Sequence, residues 1–429
     1  MKILHTSDWH LGLEYHQHSR IEEQGDFLAF LLETIETRDV DVLIVSGDIF
    51  DVANPPAEAL SRYYRFLAEL GRRGRHMAVI VGGNHDSASR LDAPRDVLGA
   101  LSAVVVGGFE TAARHTGGPT ETPGLVVPLR NRKGEVEAVV AAVPYLHDWR
   151  LGVRDLDATA DEQRHSLGDA FRGVYSRLAD AASAEHPGVP LLATGHLTCL
   201  AKAGDKPTEE DAIPSEINRV GSLGALGPQI FDERYRYVAL GHIHRGFPVD
   251  SARRIWYSGT PVQVSRTETA DGRQMLLVDT SVATPVGGLA VEKLPVPITR
   301  RLVHLKGAWD DVLARLRGLT WAEGERPPLI SVEATLAAYA DNAERTLREN
   351  APLGPGGNAL VVEARVVLER DASRPLTPMD GLPDGTAIAP EEAFRFAWGL
   401  RRNGTAPPEA VMRRFLSLLD QEADADTAR

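Results

Sequence analysis

The chain has 429 residues, of which 43% are apolar and 25% are charged, and its formal net charge is −13. This length exceeds that of one ordinary domain, so we expect two or three domains of a globular protein. No apolar run is long enough to span a membrane, and we recognise no signal peptide. The net charge argues against a chain that coats nucleic acid non-specifically, but it is compatible with a nuclease that has local basic patches. The single cysteine, Cys199, excludes an internal disulfide and favours a cytoplasmic protein.

The first strand of the chain ends in a pair of metal-type ligands. A short run that begins with the apolar Ile3 and Leu4 leads to Asp8 and His10. Side chains two positions apart in an extended segment point the same way, so both can reach one cation. In open α/β sheets, ligands bind at the carboxyl ends of the strands. The pair alone is weak evidence, and the interpretation depends on how the later strands end.

Two further apolar runs end in residues of the same kind. Residues 42–45 are uninterruptedly apolar, as in a strand buried on both faces, and Asp48 follows them. A carboxylate has two oxygens and can bridge two cations. The next apolar run is followed by Asn84, which offers a neutral oxygen ligand, and by His85, which offers a proton donor. We expect Asp51 to cap the segment that follows it rather than to bind metal.

Histidines follow the last two runs of this type. His196 comes after residues 191–194, of which the first three are apolar, and His242 and His244 come after residues 237–240. Two histidines at positions i and i+2 of an extended segment face one side, as a metal site requires. Chance explains five such strand ends in series poorly. We therefore interpret them as one metal site.

The five motifs resemble those of the calcineurin-like metallophosphoesterases and, among these, the double-strand-break repair nucleases. The opening HTSDWHLG and the later GHIHR are the segments most specific to the nucleases. The segments that carry the resemblance are residues 3–12, 46–51, 83–87, 193–198 and 239–245. The resemblance implies an α/β fold, in which a two-sheet β-sandwich flanked by helices is followed by a small α+β capping domain and C-terminal helices.

The resemblance also implies a ligand set for two divalent metal ions, with one carboxylate bridging both. The implied ligands of the first ion are Asp8, His10, Asp48 and His244. Those of the second ion are Asp48, Asn84, His196 and His242. Manganese is the usual ion of the family, although such mixed oxygen and nitrogen donors also suit iron, zinc or cobalt.

The implied reaction is hydrolysis of a DNA phosphodiester. Two cations neutralise the phosphate and lower the pKa of the attacking water. His85 would contact the scissile phosphate or protonate the leaving oxygen, and Arg90 and Arg245 would contact the DNA. The implied activities are a 3′-to-5′ exonuclease on double-stranded ends and an endonuclease on single strands and hairpins, in DNA repair, recombination and replication. A small-substrate phosphoesterase on the same scaffold and a non-catalytic docking subunit are the alternatives.

The pattern changes near residue 295. We expect a nuclease domain over residues 1–294 and a β-α-β-α-β domain over 295–370, which the resemblance implies is the capping domain. Residues 371–390 are rich in Pro, Gly and Asp and predict a linker. Residues 391–429 predict two amphipathic helices, which either pack on this chain or bind a partner.

The resemblance implies that the partner of these helices is a coiled-coil ATPase subunit. It further implies a homodimer of the nuclease chain within a two-plus-two assembly. The sequence contains no Gly-x-x-x-x-Gly-Lys-Ser/Thr phosphate-binding loop. We therefore expect ATP hydrolysis to belong to the partner.

Overall fold

The computed structural model describes residues 1–74, 76–109, 124–147, 151, 159–201, 225–250, 252, 254–268, 272–284, 287–337, 340–368, 390–402 and 405–427. Contacts divide the chain into two compact units. The first comprises Met1–Leu302 with Gly324–Arg326, and the second comprises Val303–Glu323 with Pro327–Arg429. Most of the predicted linker lies outside the described residues. None of the described helices is both long and apolar enough to cross a membrane.

The first unit contains two six-stranded sheets and one short hairpin. Its strands are β1 (Lys2–Thr6), β2 (Glu14–Tyr15), β3 (His18–Ser19), β4 (Val42–Ser46), β5 (Met77–Val81), β6 (Ala103–Val106), β7 (Val126–Arg130), β8 (Val136–Ala141), β9 (Leu191–His196), β10 (Tyr235–Gly241), β11 (Phe247–Pro248), β12 (Ile255–Tyr257), β13 (Gln274–Ala283) and β14 (Leu289–Pro295). Its helices are α1 (Ile21–Thr37), α2 (Ala57–Arg72), α3 (Ala88–Asp92), α4 (Arg95–Gly99) and α5 (Ala160–Glu185), with a 3-10 turn at Pro228–Ile230.

Each large sheet has parallel strands at its centre, with antiparallel strands on one side of the first sheet and on both sides of the second. The first has the order β14-β13-β1-β4-β5-β6, in which β1, β4, β5 and β6 are parallel. The second has the order β11-β12-β10-β9-β8-β7, in which β8, β9, β10 and β12 are parallel. Because parallel strands run the same way, the carboxyl ends of β1, β4 and β5 share one edge, and those of β9 and β10 share another.

The two sheets pack against each other through a shared apolar core. Ile44 and Val79 of the first sheet lie in one cluster with Val140 and Leu192 of the second. Successive side chains of a strand point to opposite faces, so Leu43 joins a different cluster, together with residues of α1 and α2. Helix α5 contributes side chains to the first cluster. The predicted α/β fold, with two sheets and flanking helices, is thereby confirmed.

Helix α5 begins with a capping box. The Thr159 side chain accepts a hydrogen bond from the Glu162 backbone N–H, and the Glu162 carboxylate accepts one from the Thr159 backbone N–H. These contacts satisfy two of the N–H groups that a helix start leaves unpaired. They explain why the helix begins at Ala160.

The second unit contains a three-stranded sheet with helices in its connections. Its elements are β15 (Arg300–Ala308), α6 (Trp309–Arg317), β16 (Arg326–Leu336), α7 (Ala343–Glu349), β17 (Leu353–Gly354), β18 (Gly357–Asn358), β19 (Leu360–Leu368), α8 (Pro390–Arg401) and α9 (Glu409–Thr427). The sheet order is β15-β16-β19, with β16 and β19 parallel. Ile330, Val332 and Leu347 belong to its apolar core. The chain order is the β-α-β-α-β order that the sequence indicates, with a two-strand hairpin before the last strand.

Candidate metal centre

The carboxyl ends of five strands, drawn from both sheets, meet at one cluster of polar side chains. The predicted ligands are distributed over these ends as Asp8 and His10 after β1, Asp48 after β4, Asn84 after β5, His196 at the end of β9, and His242 and His244 after β10. All are buried except Asn84, which is half-buried. Local sequence explains each position, because every apolar strand ends at or just before its polar residue.

One group of side chains converges around two imidazole rings. The Nε2 atoms of His10 and His244 lie 3.3 Å apart. Asp8 belongs to the same group, in which the potential ligand atoms all lie within 4.8 Å of one another. The carboxylate of Asp8 also accepts a hydrogen bond of 2.9 Å from the His242 backbone N–H, which links the ends of β1 and β10.

A second group converges on the side-chain oxygen of Asn84. This Oδ1 atom lies 2.9 Å from Nδ1 of His242 and 3.0 Å from Nε2 of His196. The other ring nitrogen of His196 lies 2.8 Å from the carbonyl oxygen of Ser46. A carbonyl only accepts, so Nδ1 of His196 carries the proton in the neutral ring and Nε2 faces the cluster.

The carboxylate of Asp48 lies between the two groups. Its Oδ2 atom is 3.8 Å from Nε2 of His10 and 3.2 Å from Nε2 of His196. This buried oxygen has no hydrogen-bond partner among the described residues. The other oxygen accepts a hydrogen bond of 2.9 Å from the backbone N–H of His85. One buried carboxylate therefore faces both groups of imidazoles.

The protonation of the cluster follows from burial and close charges. Burial favours the neutral form of Asp48, but the adjacent imidazoles, His196 above all, hold its pKa well below its usual range. Burial likewise disfavours the charge on His196, yet the Asp48 carboxylate raises the pKa of this imidazole to about 9. Burial raises the pKa of Asp8. The buried carboxylates thus stabilise a proton on His196. A bound cation would take the place of that proton.

The backbone of the site is strained. Asp8, His10, Asp48 and His242 have φ angles of 54°, 46°, 50° and 93°, a region that costs non-glycine residues free energy. Gly47 has φ 92°, and a Cβ atom there would overlap the ring of His196. The polar strand ends are thus held in conformations that the local sequence does not favour, which is typical of functional sites.

The carboxylate of Asp86 ties two of the strand-end loops together. It accepts hydrogen bonds from the backbone N–H groups of Ile49 (3.0 Å), Phe50 (2.9 Å) and Gly83 (2.8 Å). Loss of hydration, together with the nearby charge of Asp48, raises the pKa of Asp86 to about 6. This residue fixes the loop of Asp48 relative to the loop that carries Asn84 and His85.

His85 lies at the rim of the cluster. It is half-buried, and its ring centroid is 5.0 Å from that of His10, edge to face. Its Nδ1 atom lies 2.6 Å from the carbonyl oxygen of Asp51. A carbonyl only accepts, so Nδ1 is the donor in this contact. The Nε2 atom is then a donor only in the protonated ring.

Asp51 is placed differently from the sequence prediction. Helix α2 begins at Ala57 with Pro56 as its N-cap residue, and no side chain caps it. The carboxylate of Asp51 lies instead 3.3 Å from Nδ1 of His10. The prediction that Asp51 caps the next segment is therefore wrong, because proline rather than an acidic side chain precedes the helix.

Glu268 is a buried member of the site that the sequence does not reveal. Its carboxylate lies 2.9 Å from Nδ1 of His244 and 2.8 Å from the guanidinium of Arg273. Burial disfavours its charge, but the contact with His244 and the charge of Arg273 lower its pKa. It stands 24 positions after His244 and in no motif, so only the folded chain shows the pairing.

The two predicted substrate-contacting arginines make contacts outside the ligand cluster. The half-buried Arg90, on α3, donates a 2.7 Å hydrogen bond to the side chain of Asn54. Arg245 is exposed, and its guanidinium lies 5.2 Å from the ring centroid of Phe247. Their contact with DNA stays a prediction.

The donor set fits divalent metal ions. Carboxylate oxygen, amide oxygen and imidazole nitrogen together suit manganese, iron, zinc and cobalt. The Asp48 oxygen without a hydrogen-bond partner among the described residues and the two Nε2 atoms that face each other are what ligands converging on a cation would show. Fold and cluster together define a metallophosphoesterase. In agreement, residues 1–246 match the calcineurin-like phosphoesterase family.

Similar proteins show which kind of metallophosphoesterase this chain is. The chain is 33% identical to the SbcD subunit of the SbcCD nuclease from Escherichia coli K12 over 374 residues, 86% of this chain and 87% of that protein. It is 35% identical to the protein of the same name from Rhodobacter capsulatus, over 69% of each chain. The identity to that of Bacillus subtilis is 32%, over 65% of this chain and 66% of the relative. This chain belongs to the SbcD nucleases, which are metal-dependent enzymes of the calcineurin-like phosphoesterase family.

The similarity to one solved structure is too low to indicate a fold or a function. A β-glucosidase from Exiguobacterium marinum superposes with a TM-score of 0.22 at 10% identity, over 81% of this chain and 83% of that one. Agreement at this level indicates neither a shared fold nor a shared activity.

We predict that Asp86→Ala loosens both strand-end loops. It removes the acceptor of three backbone N–H groups, and an unsatisfied buried donor costs about 1–3 kcal/mol. The free energy of unfolding should fall by at least this amount, and hydrogen–deuterium exchange should become faster in peptides covering residues 46–51 and 83–86. Asp96→Ala, at an exposed position of α4, is the control and should change neither. Wild-type exchange in the Asp86 variant would contradict this role.

Proposed function

We propose that the chain is a DNA phosphodiesterase that uses two metal ions and acts as the nuclease subunit of a complex with an SbcC-type ATPase. The observation that carries the proposal is the position of Asp48. Its Oδ2 atom faces His10 on one side and His196 on the other, at 3.8 and 3.2 Å. A single carboxylate between two groups of potential metal ligands is the arrangement that a bridging ligand needs.

The ligands are assigned from the two groups. The first ion is proposed to bind Asp8, His10, Asp48 and His244. The second is proposed to bind Asp48, Asn84, His196 and His242. Mn²⁺ is the proposed ion, since mixed oxygen and imidazole donors suit it. Bound there, two divalent cations would neutralise the phosphodiester and lower the pKa of the attacking water.

His85 is proposed to act on the leaving group. Its Nδ1–H is held by the carbonyl oxygen of Asp51 at 2.6 Å, which fixes the direction of the ring. The ring lies against His10 and is half-buried at the rim, so Nε2 can approach a substrate that reaches the metals. Donation from Nε2 requires the protonated ring. His85 would then stabilise the departing sugar oxygen by giving it a proton.

We expect His85→Ala to reduce kcat for cleavage of a labelled linear duplex by about 10²- to 10⁴-fold, the usual effect of general acid catalysis. The variant should still bind two Mn²⁺ ions, because His85 is not among the assigned ligands. His165→Ala, on the exposed side of α5, is the control and should cleave like the wild type. Loss of bound metal in the His85 variant, or unchanged cleavage, would contradict the assignment.

Cleavage assays also show whether the substrate is DNA or a small phosphodiester. We propose 3′-to-5′ exonuclease activity on double-stranded ends and endonuclease activity on single strands and hairpins, in DNA repair and recombination. The relatives support this proposal, since their name describes one component of an SbcCD nuclease. Hydrolysis of a nitrophenyl phosphodiester without cleavage of duplex or hairpin, with the ATPase subunit and ATP present, would favour a small-substrate phosphoesterase.

The C-terminal helices are proposed to bind the coiled coil of the ATPase subunit. Phe394 of α8 stacks on Phe415 of α9 with ring centroids 4.0 Å apart, so the two helices pack on each other. Leu416 and Leu418 of α9 remain 38% and 48% exposed. Exposed leucines on an amphipathic helix suit burial against a partner helix. We also propose that this chain forms a homodimer, which assembles with two copies of the ATPase subunit.

We predict that deleting residues 385–429 abolishes co-purification with the ATPase subunit of the same organism but leaves Mn²⁺ binding intact. The double variant Leu416→Glu with Leu418→Glu should weaken co-purification in the same way, because charges replace apolar contacts. Arg413→Ala, which removes an exposed ion pair with Glu409 on the same helix, is the matched control. Undiminished co-purification of the truncated chain would exclude these helices as the binding segment.

A further inference from the structure

We propose that Glu268 is a positioning residue that strengthens one of the two metal sites, so that the two ions are held with unequal affinity. This inference rests on the proposed two-metal function. It concerns the first site, because Glu268 contacts His244. Three features support it: the direction of the imidazole, the way its carboxylate partner is fixed, and the neutral carbonyl oxygen that takes the corresponding place behind His196 of the other site.

The carboxylate of Glu268 determines which nitrogen of His244 faces the cluster. The Glu268 side chain is 1% exposed, and its Oε1 atom lies 2.9 Å from Nδ1 of His244. A carboxylate accepts, so Nδ1 carries the proton and the lone pair of Nε2 points toward Asp8 and His10. Such a carboxylate also raises the basicity of the ligand nitrogen, which strengthens a metal bond.

Arg273 fixes the carboxylate and the backbone of His244 together. One Nη atom lies 2.8 Å from Oε2 of Glu268, and the other donates to the carbonyl oxygen of His244 at 3.2 Å. The fork of a guanidinium can make both contacts at once, which a lysine ammonium cannot do with the same geometry. The same Glu268 oxygen also accepts from the backbone N–H of Val264 at 3.2 Å.

The backbone of Glu268 is held from a third direction. The side-chain amide of Gln263 donates to the Glu268 carbonyl oxygen at 2.8 Å, and its own oxygen accepts from the backbone N–H of Leu302 at 3.0 Å. The buried Arg20 donates to the carbonyl oxygen of Gln263 at 2.8 Å. A carboxylate held by this many contacts cannot turn away from His244 without leaving buried groups unpaired.

Within the described residues, the second site has no equivalent carboxylate behind His196. Nδ1 of His196 faces the neutral carbonyl oxygen of Ser46 at 2.8 Å. A neutral acceptor increases the basicity of the imidazole less than a carboxylate does. In the first site, Asp51 also approaches His10, but at 3.3 Å, and Nδ1 of His10 has no hydrogen bond to any described residue. Glu268 therefore supports His244 more strongly than Ser46 supports His196.

Calorimetric titration of the metal-free, full-length protein with Mn²⁺ tests this inference. We expect Glu268→Gln to weaken the binding of one ion about 10- to 100-fold and to change the other by less than about two-fold, the size of effect that partners of metal ligands have. At a Mn²⁺ concentration that fills both sites of the wild type, electron paramagnetic resonance should show two coupled Mn²⁺ ions in the wild type. At the same concentration it should show single, uncoupled Mn²⁺ ions in the variant. Glu292→Gln, in an exposed ion pair with Arg38, is the control and should bind as the wild type does.

A second variant covers the case in which Glu268→Gln does not fold, which circular dichroism of the metal-free protein would show. Arg273→Lys keeps the charge but loses the fork, so it should lower the affinity for the same ion by a smaller factor.

Wild-type affinities for both ions in a folded Glu268→Gln variant would overturn the positioning role. Equal weakening of both ions would overturn the inequality. A wild-type protein that binds fewer than two ions would instead refute the proposed function on which the inference rests.

Discussion

The rest of the site depends on one buried negative charge, the carboxylate of Asp48. It is fully buried, and a carboxylate without a partner in such a place costs several kcal/mol. The imidazoles of His10 and His196 come within 3.8 and 3.2 Å of it, and each is supplied by a different sheet. The neighbouring strand β1 therefore brings His10 to Asp48, and the packing of the two sheets brings His196. A pair of bound cations would also compensate the charge of Asp48. The imidazoles would then be neutral and could bind the metal through nitrogen.

The same arrangement explains why the backbone is strained where the strands end. Asp8, His10 and Asp48 have positive φ angles, each at a cost of about 1–3 kcal/mol. Backbone hydrogen bonds hold the loops in this form, from Asp8 N–H to the Gly47 carbonyl at 2.9 Å and from His10 N–H to the Asp48 carbonyl at 3.0 Å. The apolar core between the sheets and the contacts of Asp86 supply the stability that offsets this strain. The strain turns the ligands toward one another, which a straight continuation of the strands would not do.

Much of the fold and most of the cluster could be predicted from the sequence, because the information is local. Each uninterrupted apolar run indicates a central parallel strand, and the polar residue after it lies at a known edge. The parts that could not be predicted depend on contacts distant in the chain. Glu268 meets His244 only because the chain returns to the site after β12, and no spacing records this. Residue type alone favours a capping role for Asp51, whereas its position beside His10 is set by the neighbouring strand end. Strands β13 and β14, which extend the first sheet, are only partly buried along their length, so no single apolar pattern marks them as a pair.

Anomalous X-ray diffraction at the manganese absorption edge, from crystals grown with Mn²⁺, tests the central claim most directly. We expect two anomalous peaks, one on either side of the Asp48 carboxylate. One peak should contact Asp8, His10 and His244, and the other should contact Asn84, His196 and His242. A single peak, or peaks that do not share Asp48, would contradict the proposal that this buried carboxylate joins two metal ions.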